Sequence, residues 1–127
     1  MDLRIEKGNA FSILSLSGRL DALAAPQVRR VLRELPSLTQ PFVVVHLQKV
    51  GFIDSTGLGA LVAGLKAAHQ HHGTVLLAQP LAQVRMALRL SQMDRIFPLY
   101  ATLEEALEAL TIHLTSATSV AGGHEYP

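Results

Sequence analysis

The stretch VGFIDSTGLGALVAGL, residues 50–65, joins an apolar, strand-like run to an apolar, helix-like run. The residues between the two runs are polar or small, namely Asp54, Ser55, Thr56 and Gly57. Apolar residues then recur at the i, i+3, i+4, i+7 spacing of one helix face, at Leu58, Leu61, Val62 and Leu65. The stretch therefore predicts a strand-to-helix junction at which Ser55 opens the helix.

Strand-like runs lie on the N-terminal side of this junction. FVVVHL, residues 42–47, is apolar and mostly β-branched, which is typical of a strand covered on both faces in a mainly parallel sheet. Residues 2–6 and 11–17 also have strand patterns, and Gly8 and Asn9 supply turn chemistry between them. We therefore expect these two segments to form a hairpin.

Three further segments have helical patterns. In GRLDALAAPQVRRVLRELP, Pro26 suits a first helical position and Pro36 ends the apolar spacing. A second segment follows the strand TVLLA, residues 74–78, with an apolar stripe at Leu81, Val84 and Leu88. A third begins with the capping box formed by Thr102 and Glu105.

The alternation of strands and helices after a hairpin predicts one α/β domain with a mixed sheet that is parallel in its later part. IFPLY, residues 96–100, contains Pro98, which limits this segment to an edge strand or a loop. The end of the chain is small, polar and unpatterned. We expect residues 1–113 to form the domain and residues 114–127 to form a flexible tail.

Composition excludes several classes of protein. Hydrophobic residues make up 49% and charged residues 17% of the chain, which is typical of a folded domain. Eleven Lys and Arg balance ten Asp and Glu, so no strong field indicates nucleic acid or an anionic membrane. The chain has no cysteine, hence no disulfide or thiolate metal site. Since it also lacks a signal core and an apolar run of about 20 residues, we expect a cytoplasmic protein without membrane insertion.

Two interpretations of the junction stay open. Asp54 and Ser55 are both favoured N-cap residues, and capping the helix is one sufficient explanation for them. The other interpretation is that Ser55 is phosphorylated, because the free N–H groups and positive dipole end of a helix N-terminus tolerate a phosphate well. A phosphate there would change the surface offered to a partner without unfolding the domain.

Catalytic, nucleotide and metal sites have weaker support. Ser55 lacks the glycine two positions before it that a hydrolase elbow requires. Gly57 and Gly59 follow a strand, but the third glycine of a dinucleotide fingerprint is missing and no acidic residue occurs in 55–93. HQHH, residues 69–72, has no thiolates or nearby carboxylates to complete a metal site. The arginines of VRRVLRELP are typical of the solvated face of an amphipathic helix.

The segments GRLDA, IDSTGLGAL, GTVLLAQP and LRLSQMDRIFPLYATLEEAL resemble the STAS domain, and specifically the bacterial anti-sigma-factor antagonists. The resemblance runs from about Asp2 to about Leu110. It implies a STAS-like α/β sandwich with a mixed sheet, helices mainly on one face, and no cofactor.

The resemblance also implies a function. Ser55 would be phosphorylated by an anti-sigma factor that is itself a serine kinase, and a metal-dependent serine phosphatase would remove the phosphate. The unphosphorylated antagonist would bind the kinase and free the sigma factor, so it would be a ligand and a substrate, with no direct nucleic-acid contact and no enzyme activity. Predicted partner contacts are Asp54, Ser55, Thr56, Gly57, Leu58, Gly18, Arg19 and Asp21.

A second function is compatible with the same resemblance. Free-standing STAS domains also act as accessory subunits of lipid-transporting ABC complexes, and the serine of such a subunit need not be phosphorylated. A domain attached to a sulfate transporter is not expected, because the sequence contains no membrane span.

Overall fold

The computed structural model describes residues 1–112, so that the predicted tail at 114–127 lies outside the described residues. The elements, in chain order, are β1 (Asp2–Lys7), β2 (Phe11–Leu20), α1 (Ala25–Glu34), β3 (Phe42–Ile53), α2 (Ser55–Gln70), β4 (Val75–Ala78), α3 (Ala82–Leu90), a 3-10 turn (Met93–Arg95) and β5 (Leu99–Tyr100). Residues 103–112 form the described part of a last helix, α4.

The strands form one sheet in the order β1-β2-β3-β4-β5. β1 pairs with β2 antiparallel, and every later pair is parallel. The predicted hairpin and the predicted mixed sheet are therefore confirmed. The prediction for 96–100 is confirmed as well, because β5 is a two-residue strand at the edge of the sheet.

Helices cover the sheet unequally. Buried residues of α1, α2 and α3 join the larger core cluster on one face of the sheet, among them Val28, Leu61 and Leu88. On the other face, Ala106 and Leu110 of α4 pack on a smaller cluster. The predicted sandwich with helices mainly on one face is thus confirmed. Within residues 1–112, none of the helices is long and apolar enough to cross a membrane.

Small residues and caps fix the helices. A methyl group added at Gly64 of α2 would lie 2.8 Å from Leu32 Cβ, so α1 and α2 approach each other closely at this glycine. At the start of α4, the Thr102 hydroxyl accepts a hydrogen bond from the Glu105 N–H at 3.1 Å, which is the N-cap bond of the predicted capping box.

β3 joins the predicted strand of residues 42–47 and the strand-like run of residues 50–53 into one continuous strand. β4 stops pairing with it at His46, so the second half of β3 pairs with β2 alone. That half has register shifts against β2, so that the adjacent residues Gln48 and Lys49 are both exposed. The β2–β3 ribbon therefore projects beyond the rest of the sheet and ends at the predicted junction.

Candidate functional site

The junction between β3 and α2 is built around Asp54. Its backbone is extended, and its Oδ1 accepts hydrogen bonds from the Gly57 N–H at 3.0 Å and from the Thr56 hydroxyl at 2.5 Å. Asp54 is therefore the N-cap of α2. Of the two candidate capping residues, the structure assigns the role to Asp54 and leaves Ser55 as the first residue of the helix.

The Ser55 side chain is exposed and has no hydrogen-bond partner among residues 1–112. Asp54 thus binds the hydroxyl two residues away and does not bind the hydroxyl next to it. A free hydroxyl at the first position of a helix is accessible to a partner and lies close to the unpaired N–H groups of the first turn. This geometry is compatible with chemistry at Ser55 that leaves the cap in place.

The same hydrogen bonds lower the pKa of the Asp54 carboxyl below its usual 3.8. The Thr56 hydroxyl has the largest effect, followed by the Gly57 N–H, and the N–H of Ala22 contributes in the same direction. Asp54 is consequently ionised throughout the neutral range. A fixed negative charge stands beside the Ser55 hydroxyl.

Gly57 is buried, and an internal contact explains why it is a glycine. A methyl group there would lie 2.3 Å from the Leu20 carbonyl oxygen and 2.9 Å from Ile53 Cγ1. The first turn of α2 therefore presses directly on the ends of β2 and β3. Gly57, one of the predicted partner contacts, thus makes its closest contact with Leu20 of the same chain.

The end of β2 contacts the junction through a backbone hydrogen bond. The Asp54 N–H donates to the Leu20 carbonyl at 3.3 Å. One residue later, the Asp21 carboxylate accepts hydrogen bonds from the N–H groups of Leu23 at 3.1 Å and Ala24 at 3.2 Å. Asp21 therefore holds the turn that leads into α1, and this turn lies beside the start of α2.

Two other predicted contacts lie further from Ser55. Gly18 is exposed with a φ of +119°, a conformation that favours glycine. The Arg19 guanidinium stacks on the Phe52 ring at 4.0 Å and lies 3.6 Å from Asp21 Oδ2. Because Leu20, next to Arg19, points into the core beneath the helices, the Arg19 side chain points to the other face of the sheet. Arg19 and Ser55 share one end of the molecule but different faces.

Two neighbouring grooves meet at Ser55. A groove of about 790 Å³ runs along the outer face of α2 and includes Leu58, which is half-buried against the core. A second groove of about 410 Å³ lies between α1 and the first turn of α2. Arg29 and Arg33 line both grooves together with Ser55.

A family model of the STAS domain matches residues 2–106. The chain belongs to the STAS domain family. This STAS domain is 27% identical to the anti-sigma F factor antagonist of Paenibacillus polymyxa over 113 residues, covering 88% of this chain and 97% of that protein. It is 34% identical to the anti-sigma-B factor antagonist of Staphylococcus aureus over 73 residues, covering 56% of this chain and 68% of that one. The crystal structure of an anti-sigma factor antagonist from Mycobacterium paratuberculosis matches with a TM-score of 0.76 and 29% identity, covering 85% of this chain and 92% of the other.

The structure of the STAS domain adds residues to the site that the sequence did not single out. Leu23 is 93% exposed in the turn held by Asp21, on the same end of the molecule as Ser55. Its signal in the sequence is weak, because a lone leucine after a turn residue is indistinguishable from a core position. From the sequence, Arg29 and Arg33 are expected on the solvated face of a helix. The packing of α1 on α2 places them in the same groove as Ser55.

Other candidate chemistries of the STAS domain are not assembled around Ser55. His46 Nε2 lies 3.1 Å from Gln79 Oε1, and His46 lines a groove with Leu103 of α4, on the sheet face opposite α2. A Ser–His pair between His46 and Ser55 is therefore excluded. Among residues 1–112, no cluster of three or more His, Asp or Glu side chains has the geometry to hold a metal ion, and this includes the histidines of residues 69–72.

Proposed function

We propose that this STAS domain is an anti-sigma factor antagonist whose binding to an anti-sigma factor is switched off by phosphorylation of Ser55. The observation that carries the proposal is the free, exposed hydroxyl of Ser55 between two residues that bind each other, Asp54 and Thr56. The similarity to proteins named anti-sigma factor antagonists supports the choice of partner. In this proposal the STAS domain is a ligand of the anti-sigma factor and a substrate for phosphorylation.

The phosphorylation step needs only the serine from this chain. The Ser55 Oγ attacks the γ-phosphorus of ATP held by the partner kinase, the bond from that phosphorus to the bridging oxygen of ADP breaks, and the serine proton passes to a base of the kinase. The products are ADP and a phosphoserine at the first position of α2. A metal-dependent serine phosphatase reverses the state by hydrolysing the phosphate ester.

The docking surface proposed for the anti-sigma factor is the end of the molecule at which α2 begins. Leu23 has an exposed apolar side chain, and that of Leu58 is half-buried. Ser55 and Thr56 are exposed in the first turn of α2, beside the turn that Asp21 holds. The predicted contacts Gly18, Arg19 and Asp21 extend this surface along the β2–β3 ribbon, and buried Gly57 shapes it from beneath. An exposed apolar residue beside small polar ones suits a partner that desolvates the patch.

Phosphorylation changes this surface by charge and bulk. A phosphate brings about −1.5 to −2 charges next to the ionised Asp54 carboxylate. Docking would then require both anions to lose solvent in the interface. A hundredfold loss of affinity corresponds to about 2.8 kcal/mol, which one desolvated phosphate supplies.

The test is mass spectrometry of the protein after incubation with ATP and its cognate anti-sigma factor. The expected result is one phosphate on the peptide that contains Ser55, and none on Ser55→Ala. The Thr56→Val variant serves as the matched control and should still accept one phosphate. If the partner binds but never modifies Ser55, or if the protein instead co-purifies with an ABC transport complex, the proposal is overturned.

A further inference from the structure

The arginines of α1 face the first turn of α2. Arg29 and Arg33 are one helical turn apart on α1, and both line each of the two grooves that contain Ser55. Gly59 lies one turn after Ser55 on the same side of α2, and a methyl group added there would be 3.4 Å from Arg29 Nη2. The Arg29 guanidinium therefore lies over the helix turn that Ser55 begins.

Within residues 1–112, neither Arg29 nor Arg33 forms an ion pair with a carboxylate. The ion pair found in this part of the chain joins Arg19 to Asp21 instead. The residues that line the two grooves include Arg29, Arg30, Arg33 and Lys66, and they include no Asp or Glu. The sequence from 55 to 93 is also free of acidic residues. The positive charge that lines the two grooves is thus not paired with any carboxylate of the groove lining, although the Asp54 carboxylate lies next to Ser55.

We propose that Arg29 and Arg33 form a phosphate-binding site that holds the phosphoryl group on Ser55 of the same chain. The inference rests on the proposed function, since it requires a phosphate at Ser55. The planar guanidinium presents paired N–H donors that match phosphate oxygens, and two such groups one helical turn apart suit a dianion better than a monoanion. They also offset the repulsion between the phosphate and the Asp54 carboxylate.

The site explains how a dianion is accommodated beside a fixed carboxylate without disturbing the fold. A phosphate that is attached to Ser55 of α2 and bound by the arginines of α1 links the two helices. These helices already pack closely at Gly64 and Leu32. The phosphorylated domain should therefore be at least as stable as the unphosphorylated one. The arginines would be occupied in the phosphorylated state and free in the other.

The direct test uses phosphoserine incorporated at position 55 during translation, so that no kinase is needed. The second pKa of the phosphate, ordinarily about 6, is followed by phosphorus NMR across a pH titration. The double variant Arg29→Gln/Arg33→Gln should raise this pKa by about half a unit or more, because guanidinium charges favour the dianion. Arg89→Gln on α3, which removes another exposed arginine that lines a different groove, should leave the phosphate pKa unchanged.

Thermal unfolding supplies a second readout. Phosphoserine at position 55 should leave the Tm of the wild type unchanged or raise it, and should lower the Tm of the double variant. The unphosphorylated double variant controls for damage to the fold. Equal phosphate pKa values in the wild type and the double variant would overturn the inference. Failure of the kinase to modify Ser55 overturns the proposed function instead, and the two failures are seen in separate experiments.

Discussion

The Asp54 carboxylate accepts a hydrogen bond from the Thr56 hydroxyl at 2.5 Å. It makes no hydrogen bond to the hydroxyl of Ser55, which lies between Asp54 and Thr56 in the sequence. The three residues therefore divide the work at the start of α2. Asp54 and Thr56 hold the helix end in place, and Ser55 is left accessible to a partner. Modifying Ser55 breaks none of the side-chain contacts that cap the helix.

Replacing Thr56 by valine tests this division. The variant removes the hydroxyl that contributes most to the low pKa of Asp54, so the Asp54 pKa should rise towards 3.8. Carbon NMR of the side-chain carboxyl groups through an acid titration measures the change. An unaltered Asp54 pKa in Thr56→Val would show that the hydroxyl does not bind the carboxylate in solution.

Asp54 should also make the stability of the protein depend on pH. Its pKa is lower in the folded state than the usual 3.8, so the folded state binds this proton more weakly than the unfolded chain. The stabilisation is complete above 3.8 and is lost as the pH falls through the folded-state pKa. Asp54→Asn keeps an N-cap side chain but removes the negative charge at the positive end of the α2 dipole, so it should be less stable than the wild type at neutral pH.

Urea unfolding of both proteins at a series of pH values measures this effect. The stability difference between the wild type and Asp54→Asn should shrink as the pH falls below 3.8. A difference that stays constant from neutral to acid pH would mean that the charge of Asp54 contributes nothing to stability.

Gly57 and Gly59 form a matched pair for testing the packing under the site. Alanine at Gly57 places a methyl group 2.3 Å from the Leu20 carbonyl, and we expect a loss of about 1–3 kcal/mol in the free energy of unfolding. Alanine at Gly59 meets only the flexible end of Arg29, at 3.4 Å, and gains up to about 1 kcal/mol of helix propensity. Urea unfolding separates the two. Comparable stabilities would contradict the close approach of α2 to β2.

Leu23 should contribute to binding but not to folding, because its side chain is 93% exposed. Replacing it by serine should weaken binding to the cognate anti-sigma factor about tenfold or more, as expected when an interface leucine is lost. Leu38 is 85% exposed in the loop before β3, at the opposite end of the sheet, and Leu38→Ser is the control. Calorimetric titration of both variants decides. Equal affinities would place the docking surface elsewhere.

Most of the fold follows from local patterns. The apolar periodicity of α2 and the capping box of α4 are set by nearby residues, and both helices form where the sequence predicts them. The continuity of β3 is not predicted by the sequence, because Gln48, Lys49 and Gly51 interrupt the apolar run between residues 42–47 and Ile53. These residues become a strand only through pairing with β2, which is a long-range effect that periodicity does not encode.

The site divides in the same way. That Ser55 opens a helix can be predicted from its neighbours, whereas the choice of Asp54 as cap depends on the extended backbone that its contact with Leu20 maintains. The position of Arg29 over the first turn of α2 depends on how two helices pack. Sequence spacing within α1 alone does not contain that information.

The most direct test of the central claim is a comparison of two affinities for the cognate anti-sigma factor, measured by calorimetric titration with the unphosphorylated protein and with the protein that carries phosphoserine at position 55. The account predicts tight binding by the first and an affinity about a hundredfold or more lower for the second, a difference of about 2.8 kcal/mol. Equal binding by the two forms would contradict it.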